Sequence, residues 1–198
     1  LEMRTSTVPL RVEYEYDPTQ QKMIWNPDTH EGDAYPTYGW NCTLVDISVD
    51  TDTGEVIYRR AITATDVGRA INPTVVTGQI EGGLLQALGW ATSEEVVLDA
   101  GGAMRNNSLT NYIIPTSLDA PPMKTIVIEI PYSYGPFGAK GIGEIPNDAP
   151  AAAVAAAIEN ATGVICNELP MSPERVLQGL MELDANSRNK ATLDTAKE

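Results

Sequence analysis

The chain has 198 residues, 42% of them hydrophobic and 20% charged, the balance of an ordinary folded domain with one sizeable core. Its formal net charge of −14 argues against a nucleic-acid groove or an anionic membrane surface as partner. No apolar run approaches the roughly 20 residues of a membrane span, and neither cysteine, Cys42 or Cys166, sits in the CxxC spacing of a metal or cluster ligand.

The cysteine pair fits a reducing compartment at least as well as a single disulfide, and no charged-then-apolar leader pattern opens the sequence. The chain therefore reads as soluble and cytoplasmic.

Residues 1–17 alternate through Val8, Leu10, Val12, Tyr14 and Tyr16, the period of a strand. Residues 18–36 turn polar and rich in Pro, Asp and Gly, which predicts a long exposed loop. It holds His30, the sole histidine, which has no orienting partner nearby in sequence and reads as solvent-exposed. A hairpin follows: Thr43 to Val49, a turn at Asp50-Thr51-Asp52-Thr53-Gly54, and a return from Glu55 to Thr65.

Asn72 is then a helix cap, with Pro73 preset for the first helical position. The helix from Pro73 to about Ala91 puts Val76, Ile80, Leu84, Ala87 and Leu88 on a buried stripe. It also contains Gly78, Gly82, Gly83 and Gly89, each costing about 1 kcal/mol relative to alanine. Two readings meet that cost: close packing on a sheet, or close approach of a ligand. Gln79, near the positive end of this helix, suits a polar or anionic ligand.

Glu94 to Leu98 and Ala103 to Leu109 flank Asp99-Ala100-Gly101-Gly102 as a second predicted hairpin. An extended connector from Thr110 to Pro122 leads to a strand from Met123 to Ile130. After a glycine-rich loop at 134–146, Asn147 or Asp148 is expected to cap an alanine-rich helix that Gly163 stops. Val164 to Asn167 is predicted as a short strand, and Ser172-Pro173-Glu174 opens a last helix. The apolar period ends at Asp184, so residues 184–198 are expected to fray. The whole is one α+β domain over residues 1–183, with mixed strands and hairpins packed against a glycine-containing helix and two C-terminal helices.

The loop Tyr134-Gly135-Pro136-Phe137-Gly138-Ala139-Lys140-Gly141-Ile142-Gly143-Glu144-Ile145-Pro146 concentrates the chemistry. Glycines this dense let backbone N–H groups approach a ligand. A phosphate-binding P-loop would need Ser or Thr after the lysine, where Gly141 stands. A dinucleotide fingerprint would need a third glycine where Pro146 stands, with a helix that the proline is expected to forbid at Ile145. A nucleophile elbow is missing from the sequence. What survives is a backbone nest for a polar or anionic group, ending in Glu144, which either acts as a general base or simply meets water or a cation.

Gly135 to Glu144, together with Asp66-Val67-Gly68-Arg69-Ala70-Ile71-Asn72-Pro73, Gly78-Gln79-Ile80-Glu81-Gly82-Gly83, Glu168-Leu169-Pro170 and Ser172-Pro173-Glu174-Arg175-Val176, resembles the C-terminal part of the molybdenum-binding subunit of the xanthine dehydrogenase and aldehyde oxidase family. The likeness covers roughly residues 35–180. It implies a molybdenum hydroxylase that oxidises a nitrogen heterocycle or an aldehyde. Glu144 matches the family glutamate that takes the proton of a molybdenum-bound hydroxyl, while a hydride passes from the substrate carbon to a sulfido ligand. Gln79 matches the glutamine that hydrogen-bonds the pterin, and Gly138, Ala139, Lys140, Gly141 and Gly143 match the segment lying against the molybdenum–molybdopterin centre.

The family subunit is several times longer. The resemblance therefore implies a fragment or split-gene product that docks with a larger molybdenum-binding partner, with 2Fe–2S and FAD groups on iron–sulfur and flavin subunits. The alternative is an interaction module of the same fold that has lost the cofactor.

Overall fold

The computed structural model describes Glu13, Glu15 and residues 24–195, with side chains through Arg188. The predicted strand at 1–17 lies outside the described residues except at those two positions. The chain divides into two compact units, residues 1–38 and 39–198. In the first, the expected loop holds a small antiparallel hairpin, β1 (Trp25–Asn26) and β2 (Glu31–Gly32). Asn26 closes its turn, its Oδ1 accepting from the N–H groups of Asp28 at 2.9 Å and Thr29 at 3.3 Å. His30 is exposed, with its ring 6.0 Å from that of Trp25.

The second unit is an α+β structure built on a mixed three-stranded sheet in the order β3-β4-β5. β3 (Asn41–Val49) and β4 (Val56–Asp66) are the predicted hairpin, antiparallel, with a register shift between Asp46 and Ile47. Its turn closes by a 2.8 Å bond from the Gly54 N–H to Asp50 O. β5 (Met123–Ile128) returns parallel to β4 after a crossover through α1 (Pro73–Thr92). As the sequence indicates, Asn72 caps α1: its Oδ1 accepts from the Val75 N–H at 3.3 Å.

Alternation along the strands sends Val45, Ala61 and Met123 to one face, where α1 and α3 (Pro150–Thr162) pack. The core there joins Ala61, Leu84, Leu88, Ala91, Val154, Ile158, Met171 and Val176. Gly163 ends α3 in the left-handed region at φ 81° and returns its N–H to Glu159 O at 2.7 Å.

Five expectations give way to the tertiary structure. The second hairpin reduces to a single bridge, Leu98 to Met104, held by Asp99 and Asn106 side-chain bonds to the backbone. Val164 to Asn167 forms no strand, because this segment's anchor is packing: Val164 is buried against Gly179 of α4 (Pro173–Thr195). Helical structure resumes earlier than expected, at α2 (Ile145–Asp148), with Pro146 in its first turn. There a proline loses no needed N–H, so Pro146 starts the turn instead of forbidding it. Ala149, without a side-chain bond, precedes α3 in place of an Asn147 or Asp148 cap. The backbone of α4 also stays helical past Asp184 to Thr195.

Candidate functional site

The glycine loop is held at two points by different means. Near its middle, at Lys140, it meets Asp66, which ends β4 and turns its carboxylate inward. Its Oδ1 accepts from the Gly68 N–H at 2.9 Å, and its Oδ2 receives Lys140 Nζ at 2.6 Å. Both side chains are buried, Asp66 at 2% exposure and Lys140 at 9%. Burial alone would push the Asp66 carboxyl upward. The Lys140 and Gly68 hydrogen bonds and the lysine charge outweigh it and hold the carboxyl below its ordinary value.

The Lys140 N–H donates to Val67 O at 3.0 Å, so its main chain and its ammonium are bonded to the same turn. Gly68 sits in the left-handed region at φ 67°, and a Cβ there would lie 2.5 Å from Gly138 O. Only glycine lets the two backbones meet this closely.

Ahead of Lys140 the loop makes a tight turn. Gly138 N–H bonds Gly135 O at 2.9 Å and Ala139 N–H bonds Pro136 O at 3.0 Å. Phe137 at its tip adopts φ 54°, a region costly for a side chain that large, and its ring is 82% exposed.

At the far end, Gln79 Nε2 donates to Gly143 O at 3.1 Å, tying α1 to the residue before Glu144. Gln79 lies in the second turn of α1, beyond the four N–H groups that lack helical partners, so what it offers is its side-chain amide. One amide N–H is used on the loop, and the residue is exposed. Glu144 caps α2 through its carbonyl, which receives the Asn147 N–H at 2.8 Å, and its carboxylate is exposed.

The glycines of α1 divide into two kinds. A Cβ on Gly83 would lie 2.8 Å from Pro146 Cβ, and one on Gly89 would lie 2.3 Å from Pro115 Cγ. These two are required by packing. Around Gly78 and Gly82, and around Gly141 and Gly143 in the loop, nothing among the described residues stands within 4 Å of where a Cβ would be. The N–H groups of Gly141, Ile142 and Gly143 have no protein hydrogen bond among the described residues.

Fold and tethers thus bring Gln79, Gly141, Gly143 and Glu144 together on one exposed, glycine-lined wall. Lys140 faces into the protein, and Gly138 and Ala139 are occupied in the turn. Among the described residues, no cluster of three His, Cys, Asp or Glu side chains is arranged to hold a metal directly. Asp66 was not singled out in the sequence as part of the site. Its signals were its place two residues before Gly68, the spacing of a side chain-to-backbone turn, and the need of a loop lysine for a carboxylate.

Comparison with known proteins gives the family of this α+β unit. Residues 2–121 match the family model of the molybdopterin cofactor-binding domain. The chain is 38% identical over 144 residues to the xanthine dehydrogenase molybdenum-binding subunit of Escherichia coli O157:H7, covering 72% of this chain and 19% of that protein. It is also 38% identical over 154 residues to subunit gamma of the 6-hydroxypseudooxynicotine dehydrogenase complex of Paenarthrobacter nicotinovorans, covering 76% and 19%.

The crystal structure of aldehyde oxidoreductase from Desulfovibrio gigas superposes with a TM-score of 0.71 at 32% identity, over 77% of this chain and 16% of that one. The chain belongs to the molybdopterin cofactor-binding domain family, within the molybdenum subunits of the xanthine dehydrogenase and aldehyde oxidoreductase group. It spans less than a fifth of the length of these relatives.

Proposed function

We propose that this chain supplies the catalytic carboxylate and one wall of the cofactor site in a molybdenum hydroxylase acting on a nitrogen heterocycle or an aldehyde. The observation that carries this reading is the Gln79–Gly143 bond, which ties Glu144 beside glycine backbone that no side chain of the described residues covers. These residues fit a molybdenum–molybdopterin group. Bare backbone at Gly78, Gly82, Gly141 and Gly143 accepts a flat organic ring system, and the unused N–H groups of residues 141–143 suit its polar edges. When bound, the group supplies the two-electron oxidation by which a substrate C–H becomes C–OH with oxygen from water.

The chain's own contribution is positional and basic. Gln79 orients the loop and offers its free amide atoms to the pterin. The carboxylate of Glu144 takes the proton from the oxygen nucleophile as that oxygen attacks carbon. The 3.0 Å and 2.6 Å bonds of Lys140 hold the loop's root, so the carboxylate does not drift. Iron–sulfur and flavin groups belong to other subunits in this reading. Both cysteines are free thiols, which suits a reducing cytoplasm.

The test is Glu144→Gln in the natively purified complex. It keeps shape and removes the base, so turnover falls by about 10²–10⁴-fold with molybdenum content unchanged. Activity within a few-fold of wild type moves the base elsewhere. Absence of both molybdenum and pterin from the complex leaves the interaction module as the function.

A further inference from the structure

The sheet has a second face, opposite the core, and apart from Lys124, which stands beside Ile62 on the edge strand β5, its middle is apolar. In register, Leu44 lies beside Ile62, Cys42 beside Ala64 and Ala64 beside Ile126, with Ile128 at the end of β5 opposite Asp66. Alternation puts these six nonpolar residues on one side. Leu44, Ile126 and Ile128 are 55%, 41% and 40% exposed. At one end the patch stops at the Arg60–Asp46 ion pair, 3.0 Å long. The other end runs to Asp66, whose carboxylate holds Lys140 of the glycine loop.

A chain of net charge −14 has ample polar side chains to cover a solvent-facing sheet. A contiguous apolar face on it is the mark of a surface that another protein covers. The occupant follows from two further observations. The chain covers 19% of the xanthine dehydrogenase subunit and 16% of the aldehyde oxidoreductase, so most of any such subunit lies outside these residues. The patch is also continuous with the root of the loop, so whatever covers it reaches the wall that carries Gln79 and Glu144.

We propose that the face formed by Cys42, Leu44, Ile62, Ala64, Ile126 and Ile128 is the docking surface for the remaining, larger part of a molybdenum-binding subunit. Its burial brings that part beside Asp66 and completes the site from the side this chain leaves open. The proposal rests on the molybdenum hydroxylase reading for the identity of the occupant.

Cys42 lies inside the patch as an exposed free thiol and reports on its covering. In the natively purified molybdenum-containing protein, N-ethylmaleimide labels Cys42 at least about tenfold more slowly than in the same protein unfolded in guanidinium, where no packing protects it. A photo-crosslinking residue placed at Leu44 joins to a peptide from outside residues 1–198 that belongs to a molybdopterin-binding polypeptide. Labelling at the unfolded rate overturns the proposal, and so do cross-links found only to a second copy of this chain or to residues 1–23.

Molybdenum content of the same sample separates the two readings. Molybdenum present with Cys42 unprotected sinks the docking surface alone. Molybdenum absent with the expected cross-link sinks the hydroxylase reading and keeps the surface.

Discussion

Asp66 and Lys140 are 74 positions apart and form the most buried charged contact described, which makes them the residue-scale test of how the loop is held. Breaking a buried charged pair by removing one partner typically costs about 3–5 kcal/mol. Asp66→Asn is therefore expected to lower unfolding free energy by roughly that amount in urea titrations near neutral pH. The pH dependence has a definite sign. The folded carboxyl lies below its ordinary value of 3.8, so its stabilisation is fully present above that pH and is lost as pH falls through the lower folded value. The gap between wild type and Asp66→Asn should then narrow in acid melts. A gap that stays constant would show that the carboxylate's charge is not what matters.

Tyr58 works in the opposite direction. Burial pushes its hydroxyl up to about 12, only partly countered by the Thr92 hydroxyl, and the group donates to Leu88 O at 3.1 Å. Its contribution is complete below the ordinary tyrosine value of 10.0 and is lost as pH climbs through the folded value.

Helix α1 shows how one element serves packing and site with the same residue type. At Gly83 an added side chain runs into Pro146, whose ring cannot swing away, so Gly83→Leu is expected to destabilise by about 1–3 kcal/mol. Gly82 has open space, and replacing glycine inside a helix gains up to about 1 kcal/mol. Gly82→Leu should thus leave the melting temperature unchanged or raised, yet lower the molybdenum and pterin content of the purified complex. Full cofactor content in that variant would show that the bare backbone at Gly82 is not the cofactor's resting place. The contrast between neighbours is sharper than either substitution alone, because both sit in the same helix and differ only in what stands opposite.

At the scale of the whole molecule, the chain is one part of a larger assembly in our reading. It spans less than a fifth of its relatives, its glycine wall is open on one side, and its sheet exposes an apolar face. Native mass determination of the purified natural enzyme is expected to find these residues only within a species much heavier than 21.3 kDa, carrying molybdenum. A lone species of that mass that binds molybdopterin and turns over substrate would refute it. Among the described residues no helix is long and apolar enough to cross a membrane.

Local chemistry was enough for several elements. Asn72-Pro73 marks a helix start wherever it stands, Asp50 to Gly54 closes its hairpin through bonds within five residues, and Gly163 stops α3 by its own left-handed turn. The glycine loop, its carboxylate and Gln79 were likewise visible, since glycine density and motif order are properties of the chain alone. What the sequence could not determine depends on distant partners. Which of 27 acidic residues meets Lys140 is settled only when β4 ends against the loop. Val164 to Asn167 has strand-forming residues, but among the described residues no neighbouring strand pairs with them. Whether a given α1 glycine answers to packing or faces open space turns on Pro146 and Pro115, brought alongside by the fold from 63 and 26 positions away.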